Sequence, residues 1–146
     1  MIKYIVFTLV IALITALWEI QVEGKDGWAK LLPTFRINVF FRKLLGGKSL
    51  TGYHIFLLLL FITVFHGLFI NELGTWKIEC TIFGLVSLFF VIEDVLWFIL
   101  NPHYTWKRFY KKEIEWHNRW ALGLPITYWW GIIVGVLLLI IGGITC

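Results

Sequence analysis

At 146 residues the chain is 60% hydrophobic and only 15% charged, a balance that excludes an ordinary soluble domain and marks a single-domain integral membrane protein, residues 1–146. Its two cysteines, Cys80 and Cys146, are too few for a disulfide framework or a cysteine metal site. The net charge of +4 is small, but the cations cluster in two segments, which favours contact with anionic lipid or an anionic substrate over nucleic acid.

The first apolar run, residues 2–20, has Lys3 as its only cation and no small-residue cleavage pattern before Glu19, so we read it as a retained span. Thr8, Thr15 and Glu19 fall on one helical stripe, which Glu23 and Asp26 extend. A polar stripe on an oily helix is expected to face the bundle. It would bring Glu19 and Glu23 together at the mouth of the membrane, where the plain alternative pairs them with Lys25 or Lys30.

Residues 24–51 form a basic loop carrying Lys25, Lys30, Arg36, Arg42, Lys43 and Lys48. Pro33 suits a helix start. After it Ile37, Phe40, Phe41, Leu44 and Leu45 recur at helical spacing, with Arg36, Arg42 and Lys43 off that stripe. The pattern predicts a short amphipathic helix in the membrane interface, ended by Gly46 and Gly47. The second span, residues 53–70, has His54 at its start and His66 further along. At ~1.5 Å per residue the two are about 18 Å apart, too far to share one small site.

The third span, residues 81–100, organises the rest, because Glu93 and Asp94 stand side by side within it. A carboxylate at membrane depth costs about 2.5–3.5 kcal/mol on insertion scales, so it needs a protein interior and a partner. Ser87, Asp94 and Asn101 form a seven-residue stripe, and Glu93 points about 100° away from it. Asn101 and Pro102 close the helix. Loop 101–121 is again basic, with Lys107, Arg108, Lys111, Lys112 and Arg119. It is expected to hold a short helix with Glu113 and His117 on one face. Pro125 opens the fourth span, residues 125–144. There Gly131 and Gly135 make a close-packing face for another helix and the candidate contact for a homo-oligomer.

The fold class is therefore an all-α integral membrane protein: four transmembrane helices in a bundle, an amphipathic interfacial helix in loop 1 and a short helix in loop 3. The first and third loops hold six and five Lys and Arg, the second only Lys77. Cations stay in the cytoplasm, so the basic loops are expected there and both termini outside, with Cys80 and Cys146 on the outer side, where a single disulfide is open.

That topology gathers Glu19, Glu23, His54, Glu93, Asp94, His103, Glu113 and His117 toward the cytoplasmic end. Oxygen and imidazole ligands suit zinc, iron or manganese, with His54, Glu93, His117, Glu19 and Glu23 as the ligand candidates. Glu93, Asp94 and His54 are the candidate acid–base groups. No HExxH motif, ExxH pair or histidine box is present. The expected function is a small membrane enzyme acting on a lipid or isoprenoid. The substrate's head would reach Arg36, Arg42, Lys107 and Arg108, and Trp97 would wall the site from lipid. Two alternatives stand beside it. One is a non-catalytic protein holding haem between His54 and His117, or a lipid in the same cavity. The other is a proton- or ion-translocating helper subunit that uses Glu93, Asp94 and His66.

Overall fold

The structure is a computed structural model that describes residues 2–38, 49–110, 114, 117 and 119–143, with the side chains of Thr105, Trp106 and Tyr110 outside the description. It is mostly helical. Among the described residues five helices follow in chain order: α1 (Ile2–Glu23), α2 (Gly52–Leu68), α3 (Trp76–Leu100), α4 (Thr105–Tyr110) and α5 (Ile126–Ile141). Two of them, α1 and α3, are long and apolar enough to cross a membrane, and α2 and α5 are shorter apolar helices. Two small antiparallel pairs sit beside them: β1 (Arg36–Ile37) with β2 (Leu50–Thr51), and β3 (Trp120–Ala121) with β4 (Leu124–Pro125).

Local chemistry sets the helix ends. The Thr51 and Thr75 hydroxyls cap α2 and α3 by accepting from the backbone N–H of His54 and Ile78. The third helix begins at Trp76, five residues before the expected start, because Thr75 supplies a cap inside what reads as loop. Pro33 does not start a helix. Residues 33–37 run extended into β1, where Arg36 and Ile37 pair with Thr51 and Leu50. The rest of the expected interfacial helix, with Arg42, lies outside the described residues. Loop 3 holds the short helix α4, which ends before His117, and Glu113 lies outside the described residues.

Helix α3 is the centre. It packs against α1, α2, α4 and α5. One apolar core, with Ala12, Phe61, Phe65 and Phe89, joins α1, α2 and α3. A second, with Ala16, Phe98, Phe109 and Tyr128, joins α1, α3, α4 and α5. The outer faces are apolar as well: Val6, Val10 and Ile14 of α1, Phe56 and Leu60 of α2, and Ile133, Leu137 and Ile140 of α5 are all exposed. Polar side chains are turned inward instead. Thr8, Thr15 and Glu19 are buried, as their shared stripe predicts, and both threonine hydroxyls donate to the carbonyl one turn back. Polar inside and apolar outside is what a lipid-facing bundle requires.

Gly131 and Gly135 use their close-packing face within the chain. A Cβ on Gly131 would lie 2.5 Å from Val91 Cγ2, and one on Gly135 would lie 2.8 Å from Leu88 Cγ and 3.2 Å from the Gly84 carbonyl. The missing side chains let α5 lie directly on α3, so the glycine pair expected at a homo-oligomer contact is occupied by this chain's own helix.

Candidate functional site

The acids of α3 find partners on three elements. Along the Ser87–Asp94–Asn101 stripe, the Ser87 hydroxyl donates to the Gly131 carbonyl at 2.9 Å, inside the α3–α5 contact. One turn from the start of α5, the Tyr128 hydroxyl donates to Asp94 Oδ2 at 2.5 Å. His117 Nε2 lies 3.1 Å from the same oxygen. Asn101 is fully buried; its Nδ2 donates to the Gly24 carbonyl at 2.9 Å, and its Oδ1 accepts from His103 N. The stripe thus ties α3 to α5 and to the turn after α1.

Glu93, about 100° round the helix, faces α1. Its buried carboxyl lies beside that of Glu19, which is buried as well. Glu19 Oε1 also accepts from the Tyr53 hydroxyl at 3.0 Å. Glu93 is 4% exposed, and its Oε1 is buried with no hydrogen-bond partner among the described residues.

One helical turn beyond Glu19, Glu23 Oε1 accepts from Ala29 N at 2.5 Å. This bond closes a tight turn in which Trp28 and Ala29 hold the left-handed conformation, with φ of 50° and 49°, unusual for residues with side chains. Arg36 braces the same turn by donating to the carbonyls of Ala29 and Lys30. The turn lays the Trp28 ring on His54, with centroids 4.5 Å apart. His54 Nδ1 lies 2.6 Å from the Thr51 hydroxyl, and its Nε2 lies 3.8 Å from Glu23.

These groups line one cavity of about 570 Å³. Glu19, Glu23, His54, Glu93, Asp94 and His117 stand at one end, with Trp28, Trp97 and Tyr128 among them. The other end is apolar and lies between α2, α3 and α5, lined by Leu57, Phe83, Phe90, Val134 and Leu138. The volume is that of a small-molecule site. No family model, curated protein or solved structure matches the chain. The site has to be read from its own geometry.

Of the acids and imidazoles expected at the cytoplasmic end, Glu93, Asp94, His54, His117, Glu19 and Glu23 line this cavity with Trp97, whereas His103 does not. They do not form a metal sphere. Among the described residues no three His, Cys, Asp or Glu side chains are grouped as a metal ion requires. Three of the acids are engaged elsewhere: Glu19 with Tyr53, Glu23 with the Trp28–Ala29 turn, and Asp94 with Tyr128 and His117. For a haem held from two sides, both imidazoles would have to present a nitrogen to iron, yet Nε2 of His54 faces Glu23 and Nε2 of His117 faces Asp94.

The expected head-group cations are elsewhere. Arg36 braces the Ala29 turn, Arg108 donates to the His103 carbonyl and stacks on Tyr104, and Lys107 is exposed. None of these three lines the cavity. Arg42 and Glu113 lie outside the described residues. His66 does not line the cavity either. Its Nε2 lies 3.1 Å from Glu79 of α3, a contact between two helices. Cys80 is a buried free thiol, and Cys146 lies outside the described residues.

Sequence reasoning missed Tyr53, Thr127, Tyr128 and Trp28. Tyr128 carried a signal: a hydroxyl near the start of the last apolar run, at the end where the acids gather. Trp28 carried none, since its placement depends on a left-handed turn without glycine at that position.

Proposed function

We propose that the chain is a four-span integral membrane enzyme that takes an amphiphilic lipid or isoprenoid from one leaflet and performs acid–base chemistry on its head group. The observation that carries this reading is the single cavity with acids and imidazoles at one end and an apolar groove at the other. On α3 its lining runs from Phe83 to Trp97 and on α5 from Thr127 to Leu138, about 21 and 16 Å at ~1.5 Å per residue. That matches roughly the depth of one leaflet, half of a ~30 Å hydrocarbon core. The exposed apolar faces of α2 and α5 support their counting as spans beside α1 and α3.

Two proton-handling units stand at the head end. Asp94 fixes the orientation of the His117 imidazole, the arrangement that lets an imidazole serve as a general base. The adjacent buried carboxyls of Glu19 and Glu93 supply the candidate general acid. A group seated between them has a proton acceptor on one side and a donor on the other.

The test is lipid mass spectrometry on protein extracted in mild detergent, with elemental analysis and a visible spectrum of the same sample. The expected result is a retained amphiphile, lost when Val134→Trp fills the groove. Incubation with that molecule should convert it, and Glu93→Gln should not. Retention without turnover would replace the enzyme by a lipid-binding protein. Stoichiometric zinc, iron or manganese would restore the metal reading, and iron with a Soret band the haem reading. An empty groove in the wild-type protein would sink the proposal.

A further inference from the structure

We infer that the head group taken by this cavity is a primary amine, carried as an ammonium on a single long apolar tail. The inference rests on the amphiphile-binding reading above and narrows it to one ligand class.

Three observations on the same cavity carry it. The first is charge. The head end is lined by four carboxyl groups and two imidazoles, with no Lys or Arg among the described lining residues. An anionic head, phosphate or carboxylate, would meet carboxyl oxygens there and no cation among the described lining residues. The second is an unmet acceptor. Glu93 is 4% exposed, lines the cavity, and has a buried Oε1 with no hydrogen-bond partner among the described residues. A buried carboxyl oxygen without a donor is costly, and a ligand that brings N–H groups removes the cost. The third is Thr127, whose buried Oγ1 is also unpartnered among the described residues and lines the same cavity.

Two unpartnered oxygens on one cavity favour a head group that brings more than one donor. An alcohol brings one O–H, whereas an ammonium brings three N–H donors and no acceptor, and its charge strengthens each bond to a carboxylate. An alkylamine has a pKa near that of lysine, about 10.4, so it is cationic at neutral pH. The aromatic rings at the head end, Trp28 and Trp97, suit a cation further.

The experiment is a competition in lipid nanodiscs, read by native mass spectrometry of the full chain. Hexadecylamine, hexadecanol, hexadecanoate and hexadecyltrimethylammonium are each added at low mole fraction; they share a tail and differ in the head. Hexadecylamine is expected to be retained at least about tenfold better than the other three, and about tenfold less well by Glu93→Gln. Thr127→Val is expected to weaken retention in the same direction and serves as the test if Glu93→Gln does not fold. Equal or better retention of the alcohol, the carboxylate or the quaternary ammonium overturns the amine assignment and leaves the amphiphile reading standing. Preference for the amine that is unchanged in both variants overturns the assignment of Glu93 and Thr127. Retention of none of the four, with the wild-type protein folded, removes the amphiphile reading and this inference with it.

Discussion

Glu19, in the last turns of α1, and Glu93, about two turns inside the end of α3, bury their carboxyl groups beside each other. This contact joins the two longest helices where an isolated acid would be least tolerable. A glutamine still offers an N–H to its partner, so Glu19→Gln and Glu93→Gln should each keep the fold. Glu93→Leu should destabilise it by about 1–3 kcal/mol, the cost of leaving a buried polar partner unmet. Reversible unfolding in mixed micelles measures both, and a Glu93→Leu protein as stable as wild type would show that the pair contributes nothing to folding.

Tyr128 and His117 converge on one oxygen, Asp94 Oδ2. Because they share a partner, their contributions should be non-additive. Tyr128→Phe and His117→Gln are each expected to lower stability, with a coupling energy of about 0.5–3 kcal/mol in the double mutant. Strict additivity would mean that the three groups do not act as a unit.

Close packing of α5 on α3 depends on missing side chains. Gly131→Val and Gly135→Val should each cost about 1–3 kcal/mol through overpacking against Val91 and Leu88. Gly67 of α2 is the control: a Cβ there meets nothing within 4 Å, and Gly67→Ala should be neutral or stabilise by up to about 1 kcal/mol. Melting in detergent that ranks Gly67→Ala with the valine variants would contradict the packing described.

Asn101 bridges the end of α3 to the Gly24 carbonyl and accepts from His103 N. Asn101→Ala removes both bonds at a buried site. A loss of about 1–3 kcal/mol is expected, with faster proteolysis of the turn after α1. Unchanged cleavage there would show that this bridge does not hold the turn.

Single cysteines test the orientation. In a background without Cys80 and Cys146, Glu72→Cys should react with a membrane-impermeant thiol reagent applied to intact cells. Lys107→Cys should react only after permeabilisation, because the basic loops are expected in the cytoplasm. The reverse pattern would invert the topology.

The sequence by itself determined the helical class, the positions of the apolar helices to within a few residues, and the inward stripe of Thr8, Thr15 and Glu19. These follow from local periodicity and from the penalty on polar groups in lipid, both of which act residue by residue. It also singled out Glu93 and Asp94, because no adjacent pair of acids lies unremarked in an apolar run. What it left open was convergence. That Glu93 meets Glu19, that Asp94 meets Tyr128 and His117, and that Arg36 braces a turn while no Lys or Arg is among the described lining residues, are decided by how four helices pack on α3. Charge counts alone pointed to an anionic head group. Among the described residues Arg36, Lys107 and Arg108 stand off the cavity and four acids line it, because the glycine contacts of α5 on α3 and a left-handed turn at Trp28 and Ala29 set which side chains share a space.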